Sequence, residues 1–299
     1  MQKLKYLIFL GLPVLLSMYT LKAHADLQTS LNEVVKGLEE KHSQPLGICL
    51  KISIPGSKKI VIYQSGKWQQ GYAWSTIKVP VAIAALLKND SSENRELACS
   101  SICQSDNFAS FKLLNSLQPE TVGGLRPVAM QSVETIIRAA GDQKTMMDQE
   151  YSGLTLWSLE DAATFMLGLQ NFDHDAARFV RDLMMNIDSK HCFGLGQIHG
   201  MMFKTGWGEV LAEGSDDNYT GYDCRQMGYL ALSNGGGISI AIGTTSNIDR
   251  FSLEGHEAPS DEDEFDKSSA FYPSFSKGRE VLSDFTSKIF LLLKKEMNL

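Results

Sequence analysis

The chain has 299 residues, with 28 basic and 35 acidic side chains and a formal net charge of −7. This acidic balance, without a basic stripe, argues against nucleic acid as a partner, because binding phosphates requires clustered Lys and Arg. It also argues against charge-driven binding to an anionic membrane. The length allows one large domain or two domains that pack closely.

The first 25 residues have the three parts of an export signal. Lys3 and Lys5 form a positive end, residues 6–16 form an apolar stretch, and Ala23-His24-Ala25 supplies small residues before a cleavage point. The apolar stretch is too short to span a bilayer comfortably. We therefore expect cleavage after Ala25, which would take the net charge to −10 by removing three lysines. The mature protein is expected to be periplasmic or secreted, with no membrane anchor.

The next segment predicts a helix followed by a β-hairpin. Residues 27–40 repeat apolar side chains at helical spacing, and residues 48–54 alternate apolar and polar side chains as a strand does. Pro55-Gly56-Ser57 predicts the turn, and residues 60–63 predict the returning strand. A third apolar run, from Ser75, predicts a buried helix.

The pattern of strands then disappears until about residue 195, and we expect a helical block in this interval. Predicted helices begin near Asp106 and at Ser132, Ser158 and Asp175. Strands are predicted again later in the chain, with a closing helix that packs on the sheet; they cover residues 198–204, 225–232 and 238–242, and the helix covers 281–292.

This order predicts an α/β domain interrupted by an all-helical domain. We assign residues 26–66 and 196–299 to the discontinuous α/β domain and 67–195 to the helical domain. Residues 254–266 contain seven Asp or Glu residues. A hydrated loop is the plain interpretation of such a charge run, and a lid beside the site is the alternative.

Five cysteines are present, an odd number that leaves at least one thiol free or unusually paired; they are Cys49, Cys99, Cys103, Cys192 and Cys224. Cys99 and Cys103 have a spacing that could serve zinc, but no second pair of Cys or His completes four ligands. We expect no metal and no cofactor. Cys192 and Cys224 lie beside two predicted neighbouring strands, and we predict that they approach closely enough to form a disulfide.

Ser75 and Lys78 stand three residues apart at the start of the buried helix, so their side chains share one face. A serine hydroxyl needs a neighbouring base to act as a nucleophile. A lysine among apolar neighbours can lose its proton and serve as that base. A second Ser-x-x-Lys, from Ser274 to Lys277, opens no comparable apolar helix, so the spacing alone does not specify a site.

Two further motifs accompany the first. Ser105-Asp106-Asn107 begins thirty residues after Ser75, and Lys204-Thr205-Gly206 begins ninety-nine residues after Ser105. By residue frequencies, all three occur in this order in roughly one chain in a thousand. The trio is the signature of class A β-lactamases and penicillin-binding proteins. From about residue 27 the chain resembles that superfamily, which implies an active site in the cleft between the two domains.

The resemblance assigns the first four roles. Ser75 would attack a carbonyl carbon and form an acyl-enzyme, and Lys78 would help to take its proton. Ser105 would relay a proton to the leaving nitrogen, and Asn107 would hold Lys78 and the substrate amide. The bland alternatives are a Lys78 with a buried stem and a solvated tip, and a helix N-cap at Ser105-Asp106-Asn107.

The remaining roles concern the substrate carboxylate and the developing oxyanion. Lys204 would supply positive charge, and Thr205, which precedes Gly206, would supply a hydroxyl. The backbone N–H groups of Ser75 and Trp207 would form the oxyanion hole. The alternative for Lys204-Thr205-Gly206 is a turn at the end of a strand. Arg225, on the neighbouring strand, is a candidate second carboxylate anchor, with a plain surface arginine as the alternative.

One loop departs from the superfamily. Class A β-lactamases carry a Glu-x-x-x-Asn loop whose Glu activates the water that releases the acyl group. Here Glu150 follows Asp148, but Leu154 stands where the Asn is expected, and the loop looks shortened. The sequence thus leaves three functions open: a β-lactamase-type hydrolase acting on β-lactams or related amides, a D-Ala-D-Ala-type peptidase or transpeptidase acting on wall peptides, and a β-lactam-binding protein that releases its acyl group slowly.

Overall fold

The computed structural model describes residues 26–57, 59–118, 125–211, 219–246 and 272–297. The predicted export signal and the acidic loop at 254–266 lie outside these residues. Within the described ranges, no helix combines the length and the apolar character needed to cross a bilayer.

The strands form one large sheet and one small one; they are β1 (Leu46–Ser53), β2 (Ile60–Gly66), β3 (Gln70–Tyr72), β4 (Leu156–Ser158), β5 (Met201–Leu211), β6 (Tyr219–Ala231) and β7 (Gly237–Ser246). The large sheet is antiparallel and has the order β2-β1-β7-β6-β5. Strands β3 and β4 pair separately, also antiparallel. The predicted hairpin and the returning strands are therefore confirmed.

The helices are α1 (26–42), α2 (Lys78–Lys88), α3 (Ser92–Cys103), α4 (Asn107–Leu117), α5 (Pro127–Ala139), α6 (Leu159–Leu169), α7 (Asp175–Met184) and α8 (Tyr272–Met297). Two predicted helix starts are confirmed by their caps. The Asp106 side chain accepts a hydrogen bond from the Ala109 N–H at 2.9 Å, and the Ser158 hydroxyl accepts one from the Asp161 N–H at 3.0 Å. Each cap satisfies an N–H that the helix itself cannot pair.

The sheet separates two hydrophobic cores. On one face, Ile48 and Leu50 of β1 lie opposite Ile242 and Ile240 of β7, and these side chains pack with those of α1 and α8. Helix α6 packs on the other face, where the Ser239 hydroxyl of β7 donates to a main-chain carbonyl of α6. Helix α2 is buried along almost its whole length because α3, α4, α5 and α7 surround it. This explains why its sequence is apolar on all sides.

Two predictions about strands need correction. Strand β5 does not end at Lys204-Thr205-Gly206 but continues to Leu211, because it pairs with β6 over its whole length. The motif therefore lies inside a strand, and the strand-end turn is wrong. The helical block also contains a strand, β4, whose three residues give too short a pattern to recognise.

The predicted disulfide between Cys192 and Cys224 is wrong, since neither cysteine takes part in a disulfide. The Cys192 sulfur lies 3.4 Å from the Ile187 carbonyl oxygen and so stays within its own turn. Cys224 is buried in the face of the sheet that α8 covers, where a Cβ at Gly278 would be 2.9 Å from its own Cβ. Cys192 therefore contacts its own turn, whereas Cys224 packs under α8.

Two helical glycines provide a test of this packing. A Cβ at Gly168 of α6 would lie 1.8 Å from the Ala140 carbonyl oxygen, whereas a Cβ at Gly37 of α1 would meet nothing within 4 Å. We expect Gly168→Ala to lower the free energy of unfolding by about 1–3 kcal/mol or more, because a well-packed contact must open. Gly37→Ala should raise it by about 0.5–1 kcal/mol through helix propensity. Urea denaturation measures both, and equal effects of the two substitutions would contradict the packing of α6 on α5.

Candidate active site

The segment that carries Ser75 is a single 3₁₀ turn, Trp74–Ile77, which leads directly into α2. Trp74 has a φ of 47°, in the left-handed region that an aromatic residue rarely adopts. Such a conformation costs of order 1–3 kcal/mol and persists only where the surroundings enforce it. Here the Trp74 ring meets the Tyr72 ring edge-on at 5.7 Å between centroids. The result is a half-buried Ser75 at the start of the most buried helix.

Strand β5 lies directly against this segment because it has glycines at two positions. A Cβ at Gly206 would be 2.7 Å from the Ala73 carbonyl oxygen and 3.0 Å from the Ser75 nitrogen. A Cβ at Gly208 would be 2.6 Å from atoms of the Trp74 ring. Any side chain at these positions would push the strand away from the nucleophile. The glycine of Lys204-Thr205-Gly206 is thus explained by a close backbone approach.

Trp207, the predicted oxyanion donor, lies between these two glycines. Its ring points to the opposite face of β5, where it stacks on His191 at 5.5 Å and packs against Phe275 at 5.0 Å. Its main chain therefore follows Gly206 past Ser75 while its side chain is fixed in the core. The role of its N–H as an oxyanion donor stays a prediction.

Two lysines meet at Ser105. The Lys78 ammonium donates to the Ser105 carbonyl oxygen at 2.5 Å and to Asn107 Oδ1. Lys204 Nζ donates to the Ser105 hydroxyl at 2.9 Å and to the Thr205 carbonyl oxygen at 3.2 Å. Because Lys78 is only 4% exposed, the alternative of a solvated tip is wrong. The N-cap alternative for Ser105-Asp106-Asn107 is partly correct, since its middle residue caps α4.

Ser105 can serve both lysines because its own backbone is unusual. Its φ is 60°, the left-handed conformation that a non-glycine residue seldom takes. In this conformation its carbonyl faces one lysine and its hydroxyl faces the other. The structure thereby brings Lys78, Ser105, Asn107 and Lys204 together through hydrogen bonds. Ser75 lies one turn before Lys78, and its role stays a prediction.

The electrostatics of this cluster follow from burial. The pKa of Lys204 is well below its usual value, first because burial disfavours the ammonium and then because Lys78 repels it. Burial, with help from Lys204 and Lys190, also lowers the pKa of His191 to about 3. His191 is therefore neutral at neutral pH, and its Nε2 lies 2.9 Å from the Gln104 carbonyl oxygen. It supports the residue before Ser105, a role that no motif in the sequence indicated.

The Thr205 hydroxyl is hydrogen-bonded to a side chain of the neighbouring strand. It is 2% exposed and accepts a hydrogen bond from Gln226 Nε2 at 2.9 Å. Gln226, its direct partner on β6, also accepts from the Leu195 N–H at 2.8 Å and donates to the Phe193 carbonyl oxygen at 2.8 Å. Because Gln226 donates to the Thr205 oxygen, the hydrogen of the Thr205 hydroxyl is available to be donated to an anion. Gln226 is a second residue that sequence reasoning missed, because a glutamine in a strand carries no recognisable signal.

Arg225 requires a correction. Its side chain is 0% exposed, so it is not a surface arginine, and Nη1 is committed to three main-chain carbonyls. The distances are 3.1 Å to Gly71, 3.1 Å to Tyr72 and 2.9 Å to Trp157. Because Nη1 is already bonded to these three carbonyls, the guanidinium is engaged by the fold, which argues against a role as carboxylate anchor. Burial lowers the pKa of Arg225 to about 10, and the group is still charged at neutral pH.

The loop before β4 does not fix the Glu150 carboxylate through any hydrogen bond among the described residues. Glu150 is exposed, and within the described residues its carboxylate has no hydrogen bond; its N–H donates to Asp148 Oδ1 at 3.0 Å. The part of the loop that packs against the Trp74–Ile77 turn is Ser152–Leu154, which carries no carboxylate. Ala73 N–H then donates to the Thr155 carbonyl oxygen at 2.8 Å. This contact therefore places no carboxylate beside Ser75.

Comparison with known proteins identifies the fold through solved structures. No family model matches the chain, and no curated protein matches it in sequence. Among solved structures, the TLA-3 extended-spectrum β-lactamase is similar with a TM-score of 0.60 and 12% identity, covering 89% of this chain and 99% of its own. The class A β-lactamase from Mycobacterium abscessus gives 0.56 and 14%, covering 87% and 98%.

PBP-A is similar to the same degree. It gives a TM-score of 0.57 with 14% identity, covering 90% of this chain and 96% of its own. A mutant of PBP-A, solved as an acyl-enzyme complex with penicillin G, gives 0.57 and 14% as well, covering 91% and 97%. Because these identities are low, the likeness speaks for the fold. The chain therefore has the β-lactamase/transpeptidase fold and is similar in structure to class A β-lactamases and to PBP-A.

Proposed function

We propose that the protein is a serine hydrolase of the β-lactamase type, acylated at Ser75 by β-lactams or related amides. The observation that carries the proposal is the cluster at Ser105, where Lys78 donates to the carbonyl and Lys204 to the hydroxyl. The contact of Gly206 with the Ser75 main chain brings this cluster and the nucleophile together. An amine and a second hydroxyl beside a serine are the groups that acyl transfer from an amide needs.

Activation of Ser75 is assigned to Lys78. Lys78 and Lys204 share Ser105, and the Lys78 charge adds to burial in lowering the pKa of Lys204. In the base form that this role requires, Lys78 would donate to the Ser105 carbonyl and to Asn107 and offer its lone pair to the Ser75 hydroxyl. The Ser105 hydroxyl, polarised by Lys204, would then pass a proton to the leaving nitrogen. The N–H groups of Ser75 and Trp207 would stabilise the oxyanion.

A substrate carboxylate would bind at Lys204 and Thr205, on the sheet side of the cluster. The Lys204 ammonium is enclosed, and a charge there acts through a medium of low dielectric. The hydrogen of the Thr205 hydroxyl is directed by Gln226, which occupies its acceptor side. We infer a substrate that carries an anionic group close to its reactive amide, as penicillins and the C-terminal ends of wall peptides do.

A second function, slow release, is favoured by the loop. Hydrolysis of an acyl-enzyme requires a base that holds water, and the exposed Glu150 carboxylate is not oriented by any neighbour among the described residues. The loop residues that contact the nucleophile segment carry no carboxylate. This supports an enzyme that forms its acyl intermediate faster than it releases it, as expected for a peptidase, a transpeptidase or a β-lactam-binding protein.

The first prediction concerns the nucleophile. Incubation with a penicillin-type probe should add the mass of one opened β-lactam, and Ser75→Ala should abolish the adduct because no other group can form the ester. Ser274→Ala is the matched control, since Ser274 begins the second Ser-x-x-Lys yet lies in α8. Intact-protein mass spectrometry measures both. A covalent adduct that survives in Ser75→Ala would remove Ser75 from its role.

The second prediction concerns the lifetime of the adduct. We expect the acyl-enzyme to accumulate, and Glu150→Gln to leave its lifetime unchanged, with Glu96→Gln as an exposed control on α3. A misplaced general base loses on the order of 100-fold in rate. Mass spectrometry after removal of excess probe measures the decay. A much longer lifetime in Glu150→Gln would identify Glu150 as the base, and rapid turnover of a chromogenic cephalosporin without an adduct would refute slow release.

The third prediction concerns pH. Because its pKa lies well below the usual value, Lys204 loses its charge as pH rises, and binding of an anionic substrate should weaken before free lysine titrates. The acylation rate constant at low probe concentration should therefore fall on the alkaline side, below about pH 10. In Lys204→Arg the guanidinium stays charged, so this fall should disappear. The same alkaline fall in parent and variant would show that another group causes it.

A further inference from the structure

Ser75 packs against β5, but the chain does not enter it from the large sheet. Ser75 follows β3, a strand of three residues that pairs with β4 and not with the five-stranded sheet. Only Ala73 and Trp74 separate β3 from the nucleophile. The position of Ser75 therefore depends on what fixes β3, and the strained φ of Trp74 makes this dependence stronger, because such a backbone must be held on both sides.

Two charged side chains of β6 provide this attachment. Asp223 and Arg225 stand two residues apart and so point to the same face of the sheet. Arg225 Nη1 donates to the carbonyl oxygens of Gly71 and Tyr72, both at 3.1 Å. The Asp223 carboxylate lies beside the same segment, since a Cβ at Gly71 would be 2.8 Å from Asp223 Oδ2, and its charge favours the Arg225 guanidinium. The main chain of Tyr72 is thus held at its carbonyl by the guanidinium, with the carboxylate alongside.

The same guanidinium reaches the end of the loop that faces Ser75. Nη1 donates to the Trp157 carbonyl oxygen of β4 at 2.9 Å. Two residues earlier, the Thr155 carbonyl oxygen accepts from the Ala73 N–H at 2.8 Å. Arg225 therefore fixes both strands of the small sheet, one leading into the nucleophile and the other leaving the loop.

Both charges are fully enclosed. Arg225 is 0% and Asp223 is 3% exposed. The Trp68 and Trp157 rings lie 5.7 and 5.9 Å from the guanidinium carbon, and Asp223 also accepts from Trp68 Nε1 at 3.4 Å. Among the described residues, Arg225 Nε and Nη2 have no hydrogen-bond partner. Burial of a charge with incomplete partners is costly, and apolar replacements often stabilise a fold, so stability alone does not account for this arrangement.

We propose that Asp223 and Arg225 are positioning residues that hold the Gly71–Tyr72 main chain so that Ser75 is correctly placed for acylation. The inference rests on the proposed function for its kinetic consequence. Neither residue touches the substrate; both act through the main chain that precedes the nucleophile. Displacement of a reacting group by about 1 Å can cost on the order of 100-fold in rate.

The test compares Arg225→Met with Arg181→Met. Arg181 also donates to two main-chain carbonyls, those of Leu169 at 2.6 Å and Phe172 at 3.2 Å, but it belongs to α7 and holds no part of the Ser75 segment. Both variants are assayed below their unfolding transitions, with a penicillin-type probe over a range of concentrations. The measured quantities are the acylation rate constant at saturation and the half-saturating concentration.

In Arg225→Met we expect the saturated acylation rate to fall by about 100-fold while the half-saturating concentration changes by less than about threefold. The reason is that Lys204 and Thr205 lie on β5 and keep their places. Arg225→Lys, which retains a charge and a donor, should recover part of the rate. Arg181→Met should lose stability but acylate at the parent rate. Asp223→Asn, which keeps an acceptor, gives a milder variant if Arg225→Met does not fold.

Parent-like acylation in folded Arg225→Met, or rate losses in both arginine variants that follow their stabilities, would overturn the proposal. Hydrogen–deuterium exchange separates it from the proposed function. If the parent protein forms no adduct, acylation at Ser75 is refuted. The positioning role can still be tested, because only Arg225→Met frees the Tyr72 main chain. The amides of residues 71–76 should therefore exchange on the order of tenfold faster in Arg225→Met than in Arg181→Met. Equal exchange in the two variants would refute the positioning role itself.

Discussion

The site depends on the close approach of β5 to the turn that carries Ser75. Gly206 has room for no more than a hydrogen between the strand and the main chain of Ala73 and Ser75. This contact joins the sheet, which supplies Lys204 and Thr205, to the helical layer, which supplies Ser75 and Lys78. Without it, the two halves of the site would be separate surfaces. Gly206 and Gly208 thus decide whether the side chains form a site, although glycines contribute no chemistry.

The same contact forces two lysines into one enclosed space. Two ammonium groups this close together are unfavourable in the interior, and the arrangement is tolerated because each finds acceptors around Ser105. The repulsion that remains is chemically useful, since it makes loss of a proton easier. Ser105 can be shared only because it adopts a left-handed backbone, which is maintained by α3 before it and by the Asp106 cap after it.

Under the proposed function, release of the acyl group would depend on a different element, the loop from Gly141 to Thr155. Its contact with the nucleophile turn is made by Ser152–Leu154 and by a main-chain hydrogen bond to Ala73. A segment of this composition can support the shape of the site but cannot abstract a proton from water.

Local structure and the identity of the reactive groups could be predicted from the amino-acid sequence, whereas their surroundings could not. Periodicity predicted the hairpin, the helix caps at Asp106 and Ser158 were recognisable, and the order of the three motifs indicated which side chains would meet. These signals lie within short stretches of one chain. By contrast, Lys204-Thr205-Gly206 lies inside a strand because β6, the next strand, pairs with β5 along its whole length. Cys192 and Cys224 form no disulfide, although their positions beside these strands suggested one. The burial of Arg225 likewise depends on tertiary structure, since its partners are main-chain carbonyls, and every residue has one. Which carbonyls converge on a guanidinium depends on how strands from distant parts of the chain are brought together, and no local pattern records that.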